Sequence, residues 1–122
     1  MARILIVDDA AFLRRMLSDM LTSLGHTIVG EADNGETAVR LYKALTPDLV
    51  TMDITMPEMD GVTALKAIRS HHKEAKVVMC SAIGQKNVVI EAIQAGAKDF
   101  IVKPFSKERI EGTVARALSN AI

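Results

Sequence analysis

Residues 3–9 read RILIVDD, a run of four aliphatic side chains, Ile4 to Val7, that goes straight into two aspartates. An apolar run without alternation suits a strand covered by helices on both faces, because neither face then needs polar residues. Working outward, three more runs end in polar groups. DLVTM (48–52) stops at Asp53, KVVMC (76–80) stops at Ser81, and FIV (100–102) stops at Lys103. A fifth strand is expected over 27–32. It contains Gly30 and Glu31, and the 98–103 segment begins and ends with lysine, so both suit sheet edges.

Helical patterns lie between these runs. Residues 11–24 carry Phe12, Leu13, Met16, Leu17, Met20, Leu21 and Leu24 at helical spacing, and Gly25 stops them. Asn34 is a candidate N-cap for a helix over 35–45, with Pro47 beyond its end. A third helix starts near Gly61 and fades in the polar stretch SHHKEAK (70–76). A fourth covers 85–95, closed by Gly96, and a fifth follows the candidate cap Ser106 with Ile110, Val114, Ala117 and Leu118 on one stripe. On the fourth helix Val89, Ala92, Ile93 and Gly96 form the expected core stripe, with Val88 and Ile90 on opposite flanks.

Strands alternating with helices, joined by right-handed crossovers, imply an α/β fold. The expected architecture is a flavodoxin-like, doubly wound, five-stranded parallel sheet with five helices. Its strand order, 2-1-3-4-5, is the one that fold class carries; the hydrophobic pattern alone leaves the order open. Ligands of such sheets bind in the crevice outside the carboxyl ends of the strands, and this order sets the ends of strands one and three side by side.

The totals narrow the function. At 122 residues the chain is expected to be one domain, 1–122, with no output domain attached. Fifteen basic residues balance fifteen acidic ones, which argues against nucleic acid as a partner. No apolar stretch is long enough to span a membrane and no signal peptide opens the chain, so a cytoplasmic location is expected. The single cysteine, Cys80, lies in an apolar run and reads as an inert core thiol. His26, His71 and His72 fall in polar segments near helix ends and read as solvated.

Asp8, Asp9 and Asp53 would meet at the switch point. Two unit charges about 4 Å apart repel by about 4 kcal/mol at an effective dielectric of 20, so three carboxylates need an offset. A divalent cation supplies it, and an all-oxygen site with few protein ligands suits magnesium. Taken singly, Asp9 also reads as a helix N-cap, Asp53 as a turn residue and Ser81 as a strand-closing turn residue. Taken with Lys103, the set fits a magnesium-dependent aspartyl-phosphate site. Asp53 would be the nucleophile. Magnesium on Asp8 and Asp53, with Asp9 through water, would neutralise one phosphoryl oxygen, Lys103 a second and the Ser81 hydroxyl the third. A phosphatase of the haloacid dehalogenase type also uses a strand-end aspartate with magnesium, but it wants a second aspartate two residues on, where this chain has Thr55. A flavodoxin-like cofactor carrier is the other alternative, although two aspartates after strand one would repel an anionic phosphate.

ILIVDD, TMDITMPEMDG, CSA and FIVKPF together resemble the receiver domains of two-component response regulators, over essentially the whole chain and above all in their stand-alone chemotaxis form. The resemblance implies that Asp8 and Asp9 are the acidic pair for magnesium, Asp53 the phospho-acceptor, and the backbone carbonyl of Thr55 a further magnesium ligand. Ser81 would be the switch hydroxyl, Phe100 the switch aromatic and Lys103 the lysine of the site, followed by a cis bond to Pro104. Phe100 lacks the hydroxyl of a tyrosine. Thr55 and Ile83, at the positions flanking the attacking water in dephosphorylation, supply neither carboxylate nor amide.

By the same resemblance the chain would be a monomeric signalling phospho-acceptor and not a turnover enzyme. A histidine kinase, of the chemotaxis type, would phosphorylate it. Its fourth helix, fifth strand and fifth helix would then bind the flagellar motor switch protein, with Ile90 beside Phe100 as an exposed contact, and a dedicated phosphatase is a further partner. The rival within the family is a single-domain phosphorelay intermediate that passes its phosphoryl group to another histidine protein.

Overall fold

The computed structural model describes residues 2–119. Ten elements alternate: β1 (Arg3–Val7), α1 (Ala11–Ser23), β2 (Thr27–Ala32), α2 (Gly35–Leu45), β3 (Leu49–Asp53), α3 (Gly61–His71), β4 (Val77–Ser81), α4 (Lys86–Gln94), β5 (Asp99–Val102) and α5 (Lys107–Leu118). The strands form one parallel sheet in the order β2-β1-β3-β4-β5, so the expected topology holds and the two more polar strands are the edges.

Strand side chains alternate between faces, and each face of this sheet has its own core. Leu5, Val7, Val50, Met52, Val77 and Met79 pack with residues of α2, α3 and α4. Ile4, Ile6, Leu49, Val78 and Ile101 pack with α1 and α5 on the other side. Residues 4–7 are all buried, as a strand covered twice requires; each side chain of that kind contributes roughly 1.5–3 kcal/mol when fully buried.

Three helix starts are capped by short polar side chains. Asn34 accepts from Thr37 N at 2.8 Å, Asp60 from Thr63 N at 2.8 Å and Ser106 from Arg109 N at 3.3 Å. The N-cap of α1 is Ala10, with no side-chain cap, so the carboxylate of Asp9 does not serve the helix.

Asp53 and Ser81 close their strands as expected, the ladder running to Asp53↔Cys80 and Ser81↔Val102. The structure departs from the sequence reading in several places. On α1, Leu17 and Leu21 are buried, whereas Phe12 is 69% exposed and Met16 stands in solvent with it. Those two lie about 100° or more from the buried stripe and face away from the sheet. On α4 the buried centre is Ala92, flanked by Val88, Val89 and Ala95, while Ile93 is exposed. Val88 packs against the core on the α2–α4 face, while a groove between α4 and β5, lined by Ile93 and Phe100, leaves Ile93 uncovered. His72 is exposed as expected but is not merely solvated, since its Nδ1 and the Tyr42 hydroxyl share a hydrogen bond of 2.9 Å.

Candidate functional site

Asp53 ends the central strand, and the next residue, Ile54, is held from two sides. Ile54 N donates to Cys80 O at 3.1 Å, and Gly61 N donates to Ile54 O at 2.8 Å. The first residue of α3 must be glycine for this approach. A Cβ on Gly61 would stand 2.0 Å from the carbonyl oxygen of Asp53. Asp8 is fixed similarly at the end of β1. Its N–H donates to Ala32 O at 3.0 Å, and its Oδ1 accepts from Ala10 N at 2.9 Å. Arg14 Nη1 donates to the Asp8 carbonyl at 2.7 Å while its Nε pairs with Glu31 at 3.0 Å, which ties α1 to the carboxyl ends of β1 and β2.

Lys103, just beyond β5, completes the cluster from the far side. Its Nζ lies 3.1 Å from Asp8 Oδ2 and 3.2 Å from Asp53 Oδ1. Its N–H donates to Ser81 O at 2.8 Å, and the bond to Pro104 is cis. Asp8, Asp9 and Asp53 each offer a carboxylate oxygen, all within 4.8 Å of one another, with Asp8 and Asp53 buried and Asp9 exposed at the mouth. These are the four residues that the sequence pattern brings together.

The electrostatics follow from that crowding. Burial pushes the Asp53 carboxyl up to about 6, the neighbouring Asp8 charge pushes in the same direction, and Lys103 opposes both. Burial alone would lower the Lys103 ammonium, but its hydrogen bond to Asp8 and the charge of Asp53 outweigh it, and the net direction is upward. One ammonium among three carboxylates leaves uncompensated negative charge in a partly dry crevice. The donors are all hard oxygens, reached from solvent past Asp9, and they fit a small divalent cation that keeps several waters. Cys80, next to this cluster in the core, is pushed up to about 12, chiefly by burial, and stays a thiol. None of the three histidines is in the cluster: His26 accepts from Ala2 N, and the Tyr42–His72 pair lines a cavity with Ala2 and Asp48 beyond the opposite ends of the strands.

Ser81 is buried at the end of β4. Beside it a groove of about 540 Å³ is lined mainly by apolar groups, among them Val89, Ile90, Ile93, Phe100 and Val102. Phe100 is 41% exposed and Ile90 46%, so both stand in this groove and outside the carboxylate cluster. The sequence reading missed three contacts near the site, those of Gly61, Arg14 and Gln85. Gly61 had a signal, since it follows the helix cap Asp60. Gln85, whose Nε2 donates to Thr55 Oγ1 at 2.9 Å, had none, because that contact joins residues 30 positions apart.

Fold and site together define a receiver domain. The response regulator receiver domain family matches residues 4–115, and the chain belongs to it. It is 59% identical to the chemotaxis protein CheY of Bacillus subtilis over 96% of this chain and 98% of that one. To the chemotaxis protein CheY of Thermotoga maritima it is 60% identical, over 88% of this chain and 90% of the other. Among solved structures it is similar to a CheX-CheY-BeF3-Mg complex from Borrelia burgdorferi, with a TM-score of 0.92 and 41% identity over 97% of this chain and 90% of that one. The receiver fold itself has the strand order found here, CheY being one of its standing examples.

Proposed function

We propose that the chain takes a phosphoryl group onto Asp53 from the phosphohistidine of a histidine kinase, and that its α4–β5–α5 face then binds the flagellar motor switch in chemotaxis. The observation that carries the reading is the Lys103 ammonium between Asp8 and Asp53, at 3.1 and 3.2 Å, in the crevice at the switch point.

An oxygen of the Asp53 carboxylate attacks phosphorus in line. The P–O bond forms as the P–N bond breaks, and the released imidazole nitrogen keeps the electron pair. Lys103, already on Asp53, balances charge on one phosphoryl oxygen, and Asp8 keeps the ammonium from turning away. Asp8, Asp53 and the carbonyl of Thr55 would hold magnesium, with Asp9 through water; when bound it neutralises charge spread over the equatorial oxygens. The Ser81 hydroxyl then turns to the remaining oxygen, and Phe100 moves from the groove into the space behind it. This is a two-state element biased by a local charge.

The chemotaxis output is supported by the relatives named for it, and a further protein partner, which we take as a dedicated phosphatase, is supported by the CheX-CheY complex with BeF3 and Mg. The chain works as a cytoplasmic signalling monomer and turns over no external phosphoester. Among the described residues no helix is long and apolar enough to cross a membrane.

The test is binding of the amino-terminal peptide of the flagellar switch protein in the presence of magnesium, with and without beryllofluoride. Tight binding only with beryllofluoride is expected. Binding in neither state would overturn the chemotaxis output and favour the phosphorelay shuttle.

A further inference from the structure

At the edge of the apolar groove nearest the carboxylate cluster stands a polar side chain that the phosphoryl-transfer steps do not use. Gln85 occupies the N-cap position of α4, yet its side chain makes no capping bond. Its amide spans two loops instead. Oε1 accepts from Ala82 N at 2.7 Å, and Nε2 donates to Thr55 Oγ1 at 2.9 Å. Ala82 directly follows Ser81, and Thr55 lies two residues after Asp53. The loop that Gln85 grips has little other packing. Ile83 is 84% exposed, and a Cβ built on Gly84, whose φ is +95°, would meet nothing within 4 Å.

We propose that Gln85 is a positioning residue whose amide ties the Ala82 N–H to Thr55 and so holds the β4–α4 loop in the arrangement with Phe100 outward. The tie lets go when Ser81 is drawn toward a phosphoryl group on Asp53. This rests on the phospho-acceptor reading above.

The reason is mechanical. Ser81 and Ala82 share one planar peptide unit, so a shift of the Ser81 backbone that brings its hydroxyl toward Asp53 carries the Ala82 N–H with it, together with the carbonyl that Lys103 N bonds. A bond of 2.7 Å does not survive a displacement of about 1 Å, since hydrogen bonds fail beyond about 3.5 Å or when badly bent. The bond therefore favours one setting of the loop over the other, and any contact made in only one of two states shifts the equilibrium between them. Thr55 is the fixed end, because the segment before it is locked to β4 and α3 through Ile54.

Beryllofluoride with magnesium, titrated into the full chain and followed by amide NMR, tests the tie together with hydrogen exchange at the Ala82 amide. Gln85→Ala is expected to bind beryllofluoride about 3- to 10-fold more tightly than the unaltered chain, the loss of one ordinary hydrogen bond from the competing state. Its Ala82 amide should exchange faster. Gln85→Glu keeps an acceptor for that N–H and can accept from the Thr55 hydroxyl in place of donating to it, so it should restore protection at Ala82. Equal or weaker beryllofluoride binding in Gln85→Ala, or unchanged exchange at Ala82, would overturn the tie while leaving the phospho-acceptor reading intact. An unaltered chain that binds no beryllofluoride overturns both.

Discussion

The carboxyl ends of β1 and β3 and the flank made by α4 and β5 are only a few residues apart in space, yet they are built in opposite ways. At the first, the buried charged groups are gripped: Asp8 through its N–H, its carbonyl and Oδ1, Asp53 through the two backbone bonds of the adjoining Ile54, and Lys103 by two carboxylates. At the second, Ile83, Ile90, Ile93 and Phe100 stand in solvent around a groove that packs against nothing else described. Phosphoryl transfer needs charges already in place, since reorganising them at the moment of reaction adds to the barrier. A signal needs the reverse, a region whose two arrangements differ little in energy. The fold holds both because the sheet clamps one side, while the helix beside an edge strand is free on the other.

The sharpest way to break this contrast is Asp53→Asn. Labelling from a phosphohistidine donor should vanish, and any retained incorporation at another residue would remove the assignment. The same variant sharpens the account of strain in the clamped region. Asp53 has its carboxyl raised from 3.8 to about 6 in the fold, so the folded state binds a proton more tightly than the unfolded chain does. Stability contributed by this group is therefore greatest below about pH 4 and falls as pH rises through 6. In chelator, at pH 7, Asp53→Asn should be more stable than the unaltered chain by about 1–3 kcal/mol, read from urea midpoints. An advantage that does not shrink toward pH 4 would contradict that cause.

Gly61→Ala comes next. With a Cβ 2.0 Å from the Asp53 carbonyl, β3 or α3 must shift, and a loss of roughly 3 kcal/mol is expected in thermal or urea unfolding. A loss under about 1 kcal/mol would mean that the clamped region is softer than it looks. On the open flank, Ile90→Asp should leave labelling of Asp53 intact and weaken switch-peptide binding by about tenfold, about 1.4 kcal/mol. Unchanged peptide binding would show that the output surface lies elsewhere. The smallest effect belongs to the pair of Lys66 and Glu91, 3.4 Å apart and both more than half exposed, which links α3 to α4. Lys66→Ala should cost under about 0.5 kcal/mol, measured against salt concentration, because water screens such pairs.

These two regions are also unequally legible in the chain. Asp8, Asp9, Asp53 and Lys103 lie at the ends of apolar runs, so their convergence comes directly from where parallel strands end. The four strand-end runs and the caps Asn34 and Ser106 are readable for the same reason, since hydrophobic period and capping chemistry are local properties. The flank is not. Ile93 is expected inside, yet stands exposed, because a helical wheel shows which residues share a face but not the angle at which the helix meets the sheet. Phe12 and Met16 depart likewise, being apolar and in helical register but on the outer side of α1.

By itself, then, the amino-acid sequence determined the α/β alternation, the two-faced strands, the residues of the acidic crevice and membership of the receiver family. All of these rest on patterns within a few residues or on motifs in fixed order. Only the tertiary structure decided the bridge of Lys103 to both Asp8 and Asp53, the contact of Gly61 with the Asp53 backbone, the rotation of α4 and the reach of Gln85 from Ala82 to Thr55. Each joins parts of the chain that only packing brings together, and the spacing of residues in sequence carries no distance between elements until the helices have settled on the sheet.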